Sequence, residues 1–100
     1  MVIDPKQYER EFQAAGLDFE YGEDVPGKIY TPHTHGWTKL ITLDGSIRLR
    51  TSQGWVEQYA GDVCEVRSGE LHEGIVGANG WKWLAAWKPE EADTFSVHES

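Results

Sequence analysis

His33 and His35, in the segment PHTHGW, stand two residues apart in a stretch bounded by Pro32 and Gly36. Side chains alternate faces along an extended chain, so positions i and i+2 project their imidazoles to the same side. That is the spacing of a chelating pair. His72, in SGELHEGIV, follows a tight turn from which a hairpin can return it to the inward side of the same strands. Three neutral imidazoles facing one point suit Fe, Zn, Ni, Cu or Co and leave coordination positions open for water, dioxygen or a substrate. The competing reading makes His33 and His35 surface residues of a loop and His72 a hydrogen-bonded strand residue.

The elements that must position these residues are short. Asp4 can cap a helix that Pro5 starts and Gly16 ends, with Tyr8, Phe12 and Ala15 on one face, lying outside the rest as a lid or arm. After Gly16 the period becomes strand-like. Breaks at residues 22–24, 26–27, 44–45, 52–54, 60–62, 68–70 and 77–80 separate seven short segments rich in β-branched and aromatic residues. Such a series predicts an all-β antiparallel sandwich or barrel behind one short N-terminal helix. Asp44-Gly45 predicts a two-residue hairpin, with Ile47 and Leu49 inward and Arg48 and Arg50 outward. Cys64 shares parity with Val66 and reads as a small buried hydrophobe. The expected organisation is a helix and arm over 1–24, the barrel over 25–88 and a loose acidic tail over 89–100 that carries His98.

Composition narrows the partners. A formal net charge of −8 and a pI near 4.8 repel phosphate backbones and anionic headgroups, which argues against nucleic-acid and membrane partners. No apolar run approaches a membrane span, and the N-terminus has no signal-peptide pattern, so a cytoplasmic location is expected. Five Trp, four Tyr and three Phe give a chain of 100 residues an aromatic-rich core.

Residues 25 to 88 resemble the cupin family. Gly27, then KIYTP, then His33-Thr34-His35 match the opening of its first motif, G(x)5HxH(x)3–4E(x)6G, and Gly45 matches its closing glycine. Gly61, Gly69 and His72 fall at the spacing of the second motif, G(x)5PxG(x)2H(x)3N, where Arg67 replaces the proline and Val76 the asparagine. The resemblance implies a small cupin-like β-barrel, or jelly roll, in which His33, His35 and His72 hold one divalent transition metal ion. The motif glutamate is missing, its place taken by Thr38 or Lys39. What is left is a neutral three-histidine set, like those of the thiol dioxygenase branch.

An ion held by neutral ligands keeps its double charge and favours an anionic partner such as carboxylate, thiolate or hydroxide. Lys39, Thr38, Trp37, Tyr30 and Glu70 are candidates to line the pocket. Tyr30 sits on the opposite parity from His33, and Glu70 could orient an imidazole. Glu73 is expected to point away from the site, and Trp81, Trp83 and Trp87 read as core or interface. Two functions follow: a metal-dependent enzyme of the dioxygenase or isomerase type acting on a small anionic molecule, or a non-catalytic metal or small-ligand binding and sensor module. A third is a structural barrel with a vestigial site. No general base stands out, so no catalytic residue is assigned. The resemblance and the aromatic surplus also suggest a homodimer.

Overall fold

The computed structural model describes residues 3–91; the remainder of the acidic tail, with His98, lies outside the described residues. The chain runs α1 (Pro5–Ala14), β1 (Asp18–Asp24), β2 (Ile29–His33), β3 (Thr38–Thr51), β4 (Gly54–Tyr59), β5 (Val63–Val66) and β6 (His72–Trp87), followed by a 3-10 turn at Pro89–Glu91. All strand pairs are antiparallel. No described helix is long and apolar enough to cross a membrane.

Helix α1 has the ends its sequence prescribes. The Asp4 side chain accepts from the Lys6 N–H at 3.1 Å, Pro5 fills the first turn, and Gly16 is left-handed (φ 74°). The Leu17 N–H then reaches back to the Phe12 carbonyl at 2.9 Å. Tyr8 and Phe12 face the sheet as expected, whereas Ala15 is exposed. The helix is therefore more than a lid. Phe12, 2% exposed, packs on Ile41, Leu84 and Ala86 and closes a small core of its own.

The sheet is organised by two long strands. β3 and β6 pair along most of their length, β5 and β4 flank the two halves of β3, and β1 and β2 flank the two halves of β6. The expected hairpin at Asp44-Gly45 is thus a bulge within one strand, and the expected break at 77–80 lies inside β6. Gly45 has positive φ, which serves a bulge as well as a turn. Packing decides between them: a Cβ on Gly45 would lie 2.0 Å from the Gly80 carbonyl oxygen, so the two glycines let β3 and β6 bend together.

The domain boundary also moves. β1 pairs with β6 from Asp18↔Trp87 to Asp24↔Trp81, so residues 18–24, read as part of an arm, belong to the sheet. Their polar composition hid them, because the outward positions of this edge strand are wet.

Register sorts side chains onto two faces. Ile41↔Leu84 and the Phe19↔Ala86↔Lys39 rung lie on the outer face under α1. Leu40↔Ala85, Thr42↔Trp83 and Gly22↔Trp83 lie on the inner face, where a second core gathers Ile47, Leu49, Val76 and Trp81. Ile47 and Leu49 are inward, with Arg48 and Arg50 exposed, as alternation requires. Half-buried Cys64 packs against this inner core, and burial raises its thiol pKa.

Candidate metal centre

The inner face encloses a cavity of about 490 Å³, and His33, His35 and His72 stand on its wall. β2 and β6 place two of them on one rung, His33↔His72. His35 lies just beyond β2, where its carbonyl accepts from the Gly69 N–H at 2.9 Å and ties the loop to the turn before His72. One ring nitrogen from each histidine lies within 4.8 Å of the others. The ring centroids are 4.2 Å (His33 to His72), 4.6 Å (His35 to His72) and 5.5 Å (His33 to His35) apart.

Backbone carbonyls set the tautomers. Nδ1 of His33 donates to the Thr31 carbonyl at 2.6 Å, Nδ1 of His35 to the Gly36 carbonyl at 2.6 Å, and Nδ1 of His72 to the Glu70 carbonyl at 2.9 Å. A carbonyl can only accept, so each Nδ1 carries a proton, and in the neutral imidazole it is Nε2 that has the lone pair for a ligand bond. Burial pushes the His72 pKa down to about 4, with the Glu70 carbonyl acting in the opposite direction, so His72 is neutral near neutral pH. Imidazoles pre-oriented through Nδ1 in a cluster this tight fit a zinc-like or iron-like ion.

The pocket candidates divide. Thr38, 2% exposed, lies on the cavity wall, but its Oγ1 is 3.3 Å from His35 Nδ1 and donates to the Gly36 carbonyl at 3.3 Å. It braces the back of that imidazole. Lys39 shares a rung with Ala86 and Glu65 on the outer face and is not part of the cavity wall, which corrects the expectation that it lines the pocket. Trp37 is corrected in the same way: its Nε1 donates to Glu65 at 3.1 Å, and the Lys88 ammonium lies over its ring, outside the cavity. Leu40, next in the inward series after Thr38, takes the following wall position, so an apolar side chain stands in that stretch of the cavity.

Tyr30 reaches the cavity despite its sequence parity, because the β2–β6 register shifts between Tyr30 and His33 and one bulge returns both to the same face. Glu70 points its side chain elsewhere. Its carboxylate takes the backbone N–H groups of Arg67 and Ser52, both at 3.0 Å, and the Ser52 hydroxyl. The Ser52 hydroxyl and these N–H groups hold the Glu70 pKa down at about 2. Through its backbone, the same residue orients His72. Glu73 forms an ion pair with Arg50 at the cavity rim.

Among the wall residues that the sequence does not announce as such are Glu20, Asp24, Trp81 and Trp83. Glu20 and Asp24 sit on β1, whose polar sequence does not read as a strand, and the two tryptophans read as core or interface. Trp81 does both jobs, 4% exposed with its Nε1 donating to the Thr42 hydroxyl at 2.9 Å. Trp83 lies over Gly22, where a Cβ would come within 2.0 Å of the indole, and donates to Asp24 at 3.1 Å. Strand parity of residues 20, 22 and 24 would have been the available signal.

No family model matches this sequence, and no curated protein matches it. Solved structures do match the fold. A cupin superfamily protein from Desulfitobacterium hafniense DCB-2 aligns with a TM-score of 0.64 and 16% identity over 72% of this chain and 66% of that one. KdgF from a Halomonas species gives 0.69 at 15% identity, covering 78% and 74%. A Cupin 2 conserved barrel domain protein from Salinispora arenicola CNS-205 gives 0.62 at 20% identity, covering 82% and 71%. At these identities the likeness is one of fold.

Proposed function

We propose, from the cupin fold of this chain, that it binds one divalent transition metal ion through Nε2 of His33, His35 and His72 and presents that ion to a small anionic molecule. The observation that carries this reading is the cluster itself: three imidazoles whose ligand atoms lie within 4.8 Å and whose Nδ1 atoms are all committed to carbonyls. When bound, such an ion supplies Lewis acidity to a ligand oxygen or sulfur. The chain's own residues do the rest. Glu70 and Thr31 orient His72 and His33 through their carbonyls, Thr38 braces His35, and Leu40 and Trp81 keep one side of the cavity apolar.

The site contributes neutral ligands, so the bound ion keeps its charge and favours a carboxylate or thiolate over a neutral ligand. This chemistry fits a dioxygenase-type or isomerase-type enzyme. Metal analysis of protein purified without a histidine tag tests the reading. One ion per chain in the parent and near zero in His72→Ala is the expected result; a parent with no bound metal, or a variant that keeps it, overturns the proposal.

A further inference from the structure

The histidines use only part of the cavity. Along β2 the wall continues from His33 to Tyr30 and, just before the strand, to Lys28. Behind this stretch stands Asp24, its side chain 10% exposed. Three donors meet it: the Tyr30 hydroxyl, Trp83 Nε1 at 3.1 Å and Lys28 Nζ at 3.3 Å.

The consequence lies in proton counting. A phenol has one proton, and Asp24 takes it, so Tyr30 offers the cavity only the lone pairs of its oxygen. Burial, followed by the Asp24 hydrogen bond, pushes the Tyr30 pKa well above the usual value and keeps that proton in place. Lys28 Nζ, partly exposed and 4.8 Å from the Tyr30 ring centre, shares the Asp24 carboxylate with the Tyr30 hydroxyl and has further N–H donors to offer. An acceptor and a donor side by side match a hydroxyl group, which gives its proton to one and accepts from the other. The remaining wall includes Leu40, Ile47, Leu49, Val66, Ala85 and the face of Trp81, which suits a ring or short hydrocarbon.

The geometry points to a second anchoring site: Tyr30 and Lys28 bind the hydroxyl of a small apolar-bodied acid whose carboxylate lies at the histidine end. Asp24 is the positioning residue that makes Tyr30 an acceptor. This assignment rests on the anionic-ligand reading above for the carboxylate end only.

Calorimetric titration with 4-hydroxyphenylacetate and phenylacetate tests it on the zinc-loaded chain. The hydroxylated acid is expected to bind about tenfold more tightly, the worth of one well-placed hydrogen-bonded group. Tyr30→Phe keeps the ring and its packing on Trp81, and should bring the ratio to about one. Lys28→Met is the second variant and should lower the ratio several-fold, with circular dichroism confirming the fold of both. Equal binding of the two acids to the parent, no binding of either, or a ratio that survives both substitutions overturns the assignment. Removing zinc with a chelator separates the two readings. Both affinities should fall while the ratio persists; a ratio that persists with unchanged affinities leaves the hydroxyl site standing and removes the metal-anchored carboxylate.

Discussion

The same two strands, β3 and β6, build two different interiors on their opposite faces. Under α1, Ile41, Leu84 and Ala86 are fully buried against Phe12 and there is little besides hydrocarbon. On the other face Thr38, Leu40, Ala85 and Trp83 open onto a cavity that also holds three histidines, Asp24 and Tyr30. A cavity lined by polar groups gives up dispersion contacts and contributes less to stability than a packed core of the same size. The helix-covered face supplies tight packing that the cavity face forgoes, which leaves that face able to carry unfilled volume and titratable groups.

Damage to the two faces therefore has different signatures. The largest effect is expected from Phe12→Ala. Truncating a fully buried aromatic costs about 3–5 kcal/mol, read by urea denaturation, while metal stoichiometry per folded chain stays that of the parent. A loss of metal from the folded fraction would show that the two faces are coupled.

Next comes a pH effect confined to the cavity. The His72 pKa is lowered by burial from 6.5 to about 4, so between those values the unfolded chain takes up a proton that the folded chain refuses. Stability of the metal-free protein is therefore full above the unfolded value and falls as pH drops toward the folded one, by about 3 kcal/mol in total. Denaturation midpoints measured across this window should show that slope in the parent and in Phe12→Ala, and should lose most of it in His72→Asn. A slope that survives in His72→Asn would assign the titration to another group.

The smallest effect is the most local. Gly22→Ala places a methyl group against Trp83, and the indole must shift, at a cost of about 1–3 kcal/mol. Tryptophan fluorescence should change with it, because Trp83 loses its seat against Asp24. An unshifted spectrum with parent stability would mean that the cavity wall is softer than the close approach of Gly22 and Trp83 implies.

Much of the histidine site is legible in the chain. The i, i+2 spacing puts His33 and His35 on one side of an extended segment, and the turn before His72 brings it back. The helix boundaries are equally local, because Asp4, Pro5 and Gly16 act on the backbone within a few residues of themselves. Inward Ile47 and Leu49 follow from alternation in a regular strand.

Other features depend on register between strands, which no local pattern contains. Asp44-Gly45 suits a hairpin or a bulge, and only the approach of Gly80 selects the bulge. Parity alone sets Tyr30 against His33, and one irregularity in the β2–β6 pairing reverses that. Lys39 and Trp37 follow the histidine motif closely in sequence, yet the rungs Lys39 shares with Ala86 and Glu65 turn it outward, and Trp37 is held outside the cavity by its bond to Glu65.

The amino-acid order by itself determined the ligand types, their spacing and the helix caps, because those depend on bonds and dihedral angles of neighbouring residues. Tertiary structure alone decided what surrounds the histidines. Trp83 is distant in sequence from Asp24 and Tyr30 and meets them only once β1 pairs with β6 and the bulges fix which side chains share a face.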